Sequence, residues 1–212
     1  MTYLFLIRHG ETPWTKERRF QGSTNTHLTP RGKKQAAAVA RLLKTYAIDH
    51  LYTSDLWRAQ ETAALISKAT SKKAVPDKRI RELGFGRWEG RTVFELLKDK
   101  KSGYAHWCKG KRVTPPGGET LNAFQKRVGF FLKEITRRHQ DKKIAIVTHG
   151  GPVKIFLYEA LKLPFRSLWS FRIEPASLTI LGLGPHFAQA FCVNDRAHLP
   201  HHLTAQPEYV GS

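Results

Sequence analysis

Two near-continuous apolar runs, Tyr3–Arg8 (Tyr-Leu-Phe-Leu-Ile-Arg) and Ile144–Thr148 (Ile-Ala-Ile-Val-Thr), stand out along the chain. A strand is apolar on both faces when helices cover both faces of its sheet, so these runs predict central parallel strands. Shorter strands are predicted at His50–Thr53, Ser177–Leu183 and Phe187–Val193. Gly182, Gly184 and Pro185, where the last two meet, predict a β-hairpin turn.

Helical periodicity fills the intervals. Thr29-Pro30 reads as an N-cap followed by proline at the first helical position, with Ala36, Val39, Ala40, Leu43 and Ala47 on one face. Asp55 or Ser54 caps a second helix whose apolar side is Ala59, Ala63 and Ile66. Thr120 opens a third, with a core stripe of Leu121, Phe124, Val128, Phe131, Leu132 and Ile135, and a fourth follows Gly150-Gly151-Pro152 from Val153 to Leu161. Strands alternating with helices predict an α/β fold, a three-layer α/β/α sandwich around a mostly parallel sheet. One domain spanning residues 1–212 is expected. In such sheets ligands bind outside the carboxyl ends of the strands. Those ends carry Arg8-His9-Gly10 and His149-Gly150-Gly151.

The interval 98–119 breaks the alternation. It holds Lys98, Lys100, Lys101, Lys109, Lys111 and Arg112, the aromatics Tyr104 and Trp107, and Pro115-Pro116-Gly117-Gly118. A short helix around Tyr104–Lys109 fits within it. The segment is either a basic specificity lid or a solvated loop.

Composition narrows the setting. With 41% apolar residues in 212, the chain can build a core. Cys108 and Cys192 have no metal or CxxC spacing and read as inert thiols. Tyr3–Ile7 is too short for a signal-peptide core, and no run approaches the ~20 apolar residues of a spanning helix, so a soluble cytoplasmic protein is expected. Thirty-six Lys plus Arg against seventeen Asp plus Glu give a formal charge of +19. Such a field draws anions, whether nucleic acid or a small substrate, unless it is a general basic adaptation. The basic residues are spread along the chain, which argues against a dedicated nucleic-acid face.

The strand ends suit one chemistry. Hydrolysis of a phosphate monoester requires clustered positive charge, a nucleophile unprotonated near neutrality, and an acid for the leaving oxygen. Neutral imidazole meets the second need, and an arginine fork suits phosphate oxygens. Arg8, His9, His149 and Arg58, the last on the first turn of a helix after a strand, together favour an anion site. Gly10 gives the turn room for backbone N–H groups to approach an anion.

Several ordered blocks carry a family resemblance: Leu-Ile-Arg-His-Gly-Glu-Thr from Leu6, Gln21-Gly22, Leu28-Thr29-Pro30-Arg31-Gly32, and Ser54-Asp55-Leu56-Trp57-Arg58-Ala59. Further on come Arg81-Glu82-Leu83-Gly84-Phe85-Gly86-Arg87-Trp88-Glu89-Gly90, Pro116-Gly117-Gly118-Glu119, Val147-Thr148-His149-Gly150-Gly151, and Asn194-Asp195-Arg196-Ala197-His198-Leu199. In this order they resemble the histidine phosphatase superfamily, the phosphoglycerate-mutase-like group, and within it the α-ribazole and broad-specificity phosphatases. The resemblance implies a phosphoglycerate-mutase-like fold and a phosphohistidine at His9. It implies phosphoryl contacts from Arg8, Arg58 and His149, and Glu82 as proton donor, with no metal or cofactor. Gln21, Gly22 and Gly150 are expected at the phosphate pocket. Thr15 stands where the family commonly has Asn and is expected to donate one hydrogen bond with shorter reach. Glu11, Thr12 and Glu89 are expected to be structural.

The function expected is hydrolysis of small phosphorylated metabolites by a monomer or homodimer. The alternatives are a phosphoglycerate mutase, which the short chain disfavours, and a basic binding protein on the same fold, which the retained His9 and His149 disfavour. Trp14, Phe20, Arg87, Trp88 and Trp107 are candidates to shape the pocket. His201-His202 lacks neighbouring ligands at metal spacing and reads as a flexible polar tail.

Overall fold

The structure is a computed structural model that describes residues 1–111 and 113–204. Arg112 of the basic segment lies outside the described residues. Six strands form one sheet: β1 (Thr2–Arg8), β2 (His50–Thr53), β3 (Ala74–Pro76), β4 (Lys143–Thr148), β5 (Leu178–Leu183) and β6 (Ala188–Asp195). Their order is β3-β2-β4-β1-β5-β6. The pairings β1–β4, β2–β4 and β2–β3 are parallel, and β5 and β6 add an antiparallel edge. The helices are α1 (Pro13–Lys16), α2 (Pro30–Tyr46), α3 (Trp57–Thr70), α4 (Val93–Lys98), α5 (Tyr104–Cys108), α6 (Leu121–Arg138), α7 (Gly150–Ala160) and α8 (His201–Thr204). None is long and apolar enough to cross a membrane.

The two-residue period of the central strands sorts their side chains into two cores. Leu4, Leu6, Ile144, Ile146 and Leu181 face α6 and α7, packing on Phe124, Val128, Phe131 and Phe156. Phe5, Ile7, Ala145, Val147 and Ile180 face α2 and α3, packing on Val39, Leu43, Ala63 and Ile66. Each such fully buried aliphatic contributes ~1.5–3 kcal/mol of transfer free energy. The near-continuous apolarity of β1 and β4 follows from this two-sided burial.

Chain tracing explains where the site falls. From β1 the chain crosses over one face through α2 to β2, while from β4 it crosses over the other through α7 to β5. Connections that leave adjacent parallel strands on opposite faces open a crevice at their carboxyl ends. The register pairs Arg8 with Thr148, so His9 and His149 emerge side by side.

Several sequence expectations shift by a residue or a cap. Thr29 and Thr120 cap α2 and α6 as expected, their hydroxyls accepting from Gly32 N and Ala123 N. For α3 the N-cap is Leu56, without a side-chain bond, and not Asp55 or Ser54; Asp55 is taken by a bidentate pair with Arg81. Ala47 is not on the α2 face but ends that helix in the left-handed conformation, exposed. The short strand β3 had no apolar run to announce it. His201-His202 does not form a flexible tail: α8 docks through buried Leu203, whose carbonyl accepts from Gln35 Nε2 at 3.0 Å. The turn between β5 and β6 closes with Gly184 N donating to Phe187 O.

The loop after β1 is held against the start of α2. A Cβ on Gly32 would collide with the backbone of Glu11, and one on Gly10 with the carbonyl of Gly32. This contact seats the residues following His9, and no flexible side chain can absorb an added methyl. Gly32→Ala should therefore lower stability by about 1–3 kcal/mol, read as a lower urea midpoint at unchanged m-value; an unaltered midpoint would show that the contact is soft.

Candidate active site

His9 leaves β1 with its backbone N–H donating to Thr148 O at 2.9 Å, which locks it to the neighbouring strand. Its Nδ1 lies 2.7 Å from the carbonyl oxygen of Gly10. A carbonyl can only accept, so Nδ1 carries the proton and Nε2 keeps its lone pair. The ring is buried, and burial followed by the charges of Arg58 and Arg8 holds its pKa well below the ordinary value. His9 is thus a neutral imidazole with its second nitrogen unprotonated at pH 7.

Arg58 is fully buried on the first turn of α3. Its Nη2 donates to Gly22 O at 2.7 Å, its Nη1 to Thr24 O at 2.8 Å and its Nε to His149 Nδ1 at 3.2 Å. Three of five N–H groups are thereby engaged, leaving two for a ligand. Burial lowers its pKa to about 10, so it stays charged at neutrality. The donation into Nδ1 fixes the tautomer of His149, whose Nε2–H is then directed at Ser54 Oγ, 2.8 Å away. Burial and the same arginines push His149 well below the usual histidine range. The two imidazoles meet edge to face at 5.1 Å. Arg8 completes the cationic cluster and donates from Nη1 to Ile173 O at 2.5 Å.

Two connected cavities open over this cluster. The inner one, about 240 Å³, is lined by Arg8, His9, Gln21, Arg58 and Glu82 among others. The outer one, about 700 Å³, continues past Glu82 and Gly150 to Lys154, Trp107 and Trp169. Glu82 borders both. Its Oε2 accepts from Gly151 N at 3.2 Å and its Oε1 from Leu83 N at 2.9 Å. A Cβ on Gly151 would strike that carboxylate, so glycine there lets the acid approach the start of α7. The surface alternative, a pair with Arg79 or Arg81, does not form: Arg79 bonds Asp77 and Glu134, and Arg81 bonds Asp55.

The remaining expected residues divide. Gln21 lines the inner cavity, its amide oxygen accepting from the Thr12 and Thr26 hydroxyls at 2.9 and 2.8 Å. Gly150 lines the outer cavity at the start of α7. Gly22 lines neither and serves through its carbonyl on Arg58. Thr15 lines both cavities, but its single donor is already given to Thr12 O at 2.9 Å in a capping box. The expected Thr15 bond to a phosphate oxygen is therefore not available as the side chain stands. His149 lines neither cavity as the side chains stand; its ring packs on that of His9 and is held between Arg58 and Ser54. Of the pocket candidates, Phe20 and Trp107 reach the cavity, whereas Trp88 is fully buried under Leu96 and Tyr104, and Trp14 and Arg87 lie off it. Segment 98–119 is a wall: Tyr104 and Trp107 face the outer cavity, while its described lysines are exposed.

Sequence reading missed the scaffolding of the Glu82 loop. Arg127 on α6 donates to the carbonyls of Arg79, Arg81 and Glu82, each at 2.8 Å, and pairs with Glu119 at 2.7 Å. The Pro-Gly-Gly-Glu block signalled Glu119, but nothing in the sequence joined Arg127 to it. Glu89 is structural as expected, accepting from Ser23 N, Thr24 N and Phe85 N at 3.0–3.1 Å and from Thr24 Oγ1. Glu11 and Thr12 likewise order the loop, Glu11 by accepting from Thr29 Oγ1 and Thr12 as the α1 cap.

A sheet switch point presenting a buried neutral imidazole, two arginines and an adjacent carboxylate offers the groups that phosphoryl transfer through a histidine requires. The sequence matches the histidine phosphatase superfamily (branch 1) over residues 4–196, and the chain belongs to that superfamily. Phosphoserine phosphatase 1 of Hydrogenobacter thermophilus is 30% identical, covering 94% of this chain and 95% of its own. The adenosylcobalamin/α-ribazole phosphatase of Escherichia coli is 31% identical, covering 92% and 96%. The crystal structure of phosphoserine phosphatase from Entamoeba histolytica in complex with 3-phosphoglyceric acid superposes with a TM-score of 0.85 at 30% identity, covering 94% and 100%.

The depressed histidines couple folding to pH. Their folded pKa values lie below the unfolded ~6.5, so in that window the unfolded chain binds more protons and stability falls as pH drops. The urea midpoint should decline between pH ~7 and ~5, and the decline should be shallower in His149→Gln. Parallel slopes in both proteins would mean that His149 titrates alike in the folded and unfolded chains.

Proposed function

We propose that this protein is a phosphomonoesterase acting on small phosphorylated metabolites through a phosphohistidine at His9. The observation that carries this reading is the Gly10 carbonyl on Nδ1, which leaves Nε2 as an aimed, unprotonated nucleophile beside Arg8 and Arg58. Nε2 attacks phosphorus as the P–O ester bond breaks. Arg8, the two remaining Arg58 donors, Gln21 Nε2 and the backbone at Gly150 hold the phosphoryl oxygens, whose charge is greatest in transit. His149 joins them when its Nε2–H turns from Ser54 to a phosphoryl oxygen.

Glu82 gives its proton to the leaving oxygen. It then takes one from the water that attacks phosphorus, the P–N bond breaks, and inorganic phosphate leaves. No step requires a metal, and among the described residues no group of three His, Cys, Asp or Glu clusters as metal ligands. We take the chain as one catalytic domain, monomeric or homodimeric, with the cytoplasm as its site of action.

His9→Ala should reduce phosphate release about a thousandfold or more, while a chelator should leave the wild-type rate unchanged. Glu82→Gln should slow glycerol 3-phosphate hydrolysis about a hundredfold and 4-nitrophenyl phosphate hydrolysis far less, since the aryl leaving group needs little acid help. Equal losses on both esters would remove Glu82 from the acid role. Isomerisation of 3-phosphoglycerate with little free phosphate would replace hydrolysis with a mutase reaction.

A further inference from the structure

The outer cavity carries more positive charge than the events at phosphorus use. Besides Arg8, it is lined by Arg18, Lys154 and Arg172, against two carboxylates, Glu82 and Glu174. Glu174 is ion-paired with Arg172. Glu82 is tethered to the backbone N–H groups of Leu83 and Gly151, and must be protonated when it assists the leaving oxygen. At that moment the leaving-group side of the site is strongly cationic.

Lys154 is the centre of that excess. It stands on α7 four residues, just over one helical turn and about 6 Å, past Gly150, whose position faces the Arg8 guanidinium. No hydrogen bond or ion pair to its ammonium is formed within the described residues, and the half-buried side chain lines the cavity wall. Burial lowers its pKa, Glu82 opposes that shift and Arg8 adds to it. Its three N–H donors therefore open on the cavity, uncommitted to protein and available to an anionic ligand.

We propose that Lys154 is the receptor for a second anionic group of the substrate, a carboxylate or a further phosphate carried a few bonds from the ester oxygen. This rests on the phosphomonoesterase reading for which group lies at His9. Arg8 and Arg58 take the transferred phosphoryl group, and Lys154, just over one helical turn away, takes the other end. The 700 Å³ of the outer cavity leaves room for an alcohol part well beyond three carbons.

Binding measured by titration calorimetry in a His9→Ala background tests this without turnover. Two matched pairs differ only in the second anion: 3-phosphoglycerate against glycerol 3-phosphate, and fructose 1,6-bisphosphate against fructose 6-phosphate. Adding Lys154→Met should cut the affinity ratio within at least one pair about tenfold, and Lys154→Arg should keep it. Loss in the first pair identifies a carboxylate, and loss in the second a phosphate. Ratios in both pairs unchanged within about twofold overturn the proposal. A ratio cancels any general weakening, and Lys154→Gln answers the same question if the Met variant folds poorly. Failure of the phosphomonoesterase reading would appear separately, as no phosphate release by the wild-type protein from any of the four esters.

Discussion

A guanidinium without solvent has to be surrounded by acceptors, and the site is arranged around that requirement at Arg58. Its partners are two carbonyls from the 22–24 loop and an imidazole nitrogen from the end of β4. The loop can present both carbonyls because Glu89 gathers its N–H groups together with that of Phe85. One buried charge thereby ties together α3, β4 and two loops far apart in sequence. Breaking one partner of such an ion leaves the rest uncompensated, which costs far more than a surface contact. Burial, and after it this same charge, keeps both histidines neutral, so the element that organises the fold locally also bears on the protonation state of His9.

The reacting end is rigid for reasons that lie in the sheet. His9 extends a strand paired on both sides, and its loop is seated on α2 through a contact of glycine with backbone. The leaving-group end is built differently. Trp107 on the five-residue α5 and Trp169 on a short 3₁₀ segment approach with ring centroids 6.0 Å apart, and these minor elements wall the outer cavity. Relatives of this chain that are named for different substrates match it over nearly their whole length at 30–31% identity. A rigid cluster at the strand ends joined to a wall of short, aromatic-packed segments is a physical basis for that variety, because the wall can change without disturbing β1, β4 or Arg58.

Much of this was legible in the chain. The two-sided apolarity of β1 and β4 announced central strands, the threonine caps and apolar stripes located α2 and α6, and the strand ends pointed to His9 and His149. These signals are local or periodic, so they survive without coordinates. The misses share a cause. Ala47 turning left-handed, Leu56 in place of Asp55 as a cap, and the docking of α8 through Leu203 each depend on a partner elsewhere in the chain.

By itself, then, the sequence determined the class of fold, the candidate nucleophile and the cationic character of its surroundings, because strand periodicity and residue chemistry are properties of short segments. Only the tertiary structure decided that His9 keeps Nε2 unprotonated, that Thr15 has its hydroxyl committed, and that His149 is held between Arg58 and Ser54. It alone showed that Arg127 carries the Glu82 loop and that Lys154 faces the cavity without an acceptor. Hydrogen-bond partners and burial are relations between distant segments, and they exist only once the strands are in register and the loops have closed over them.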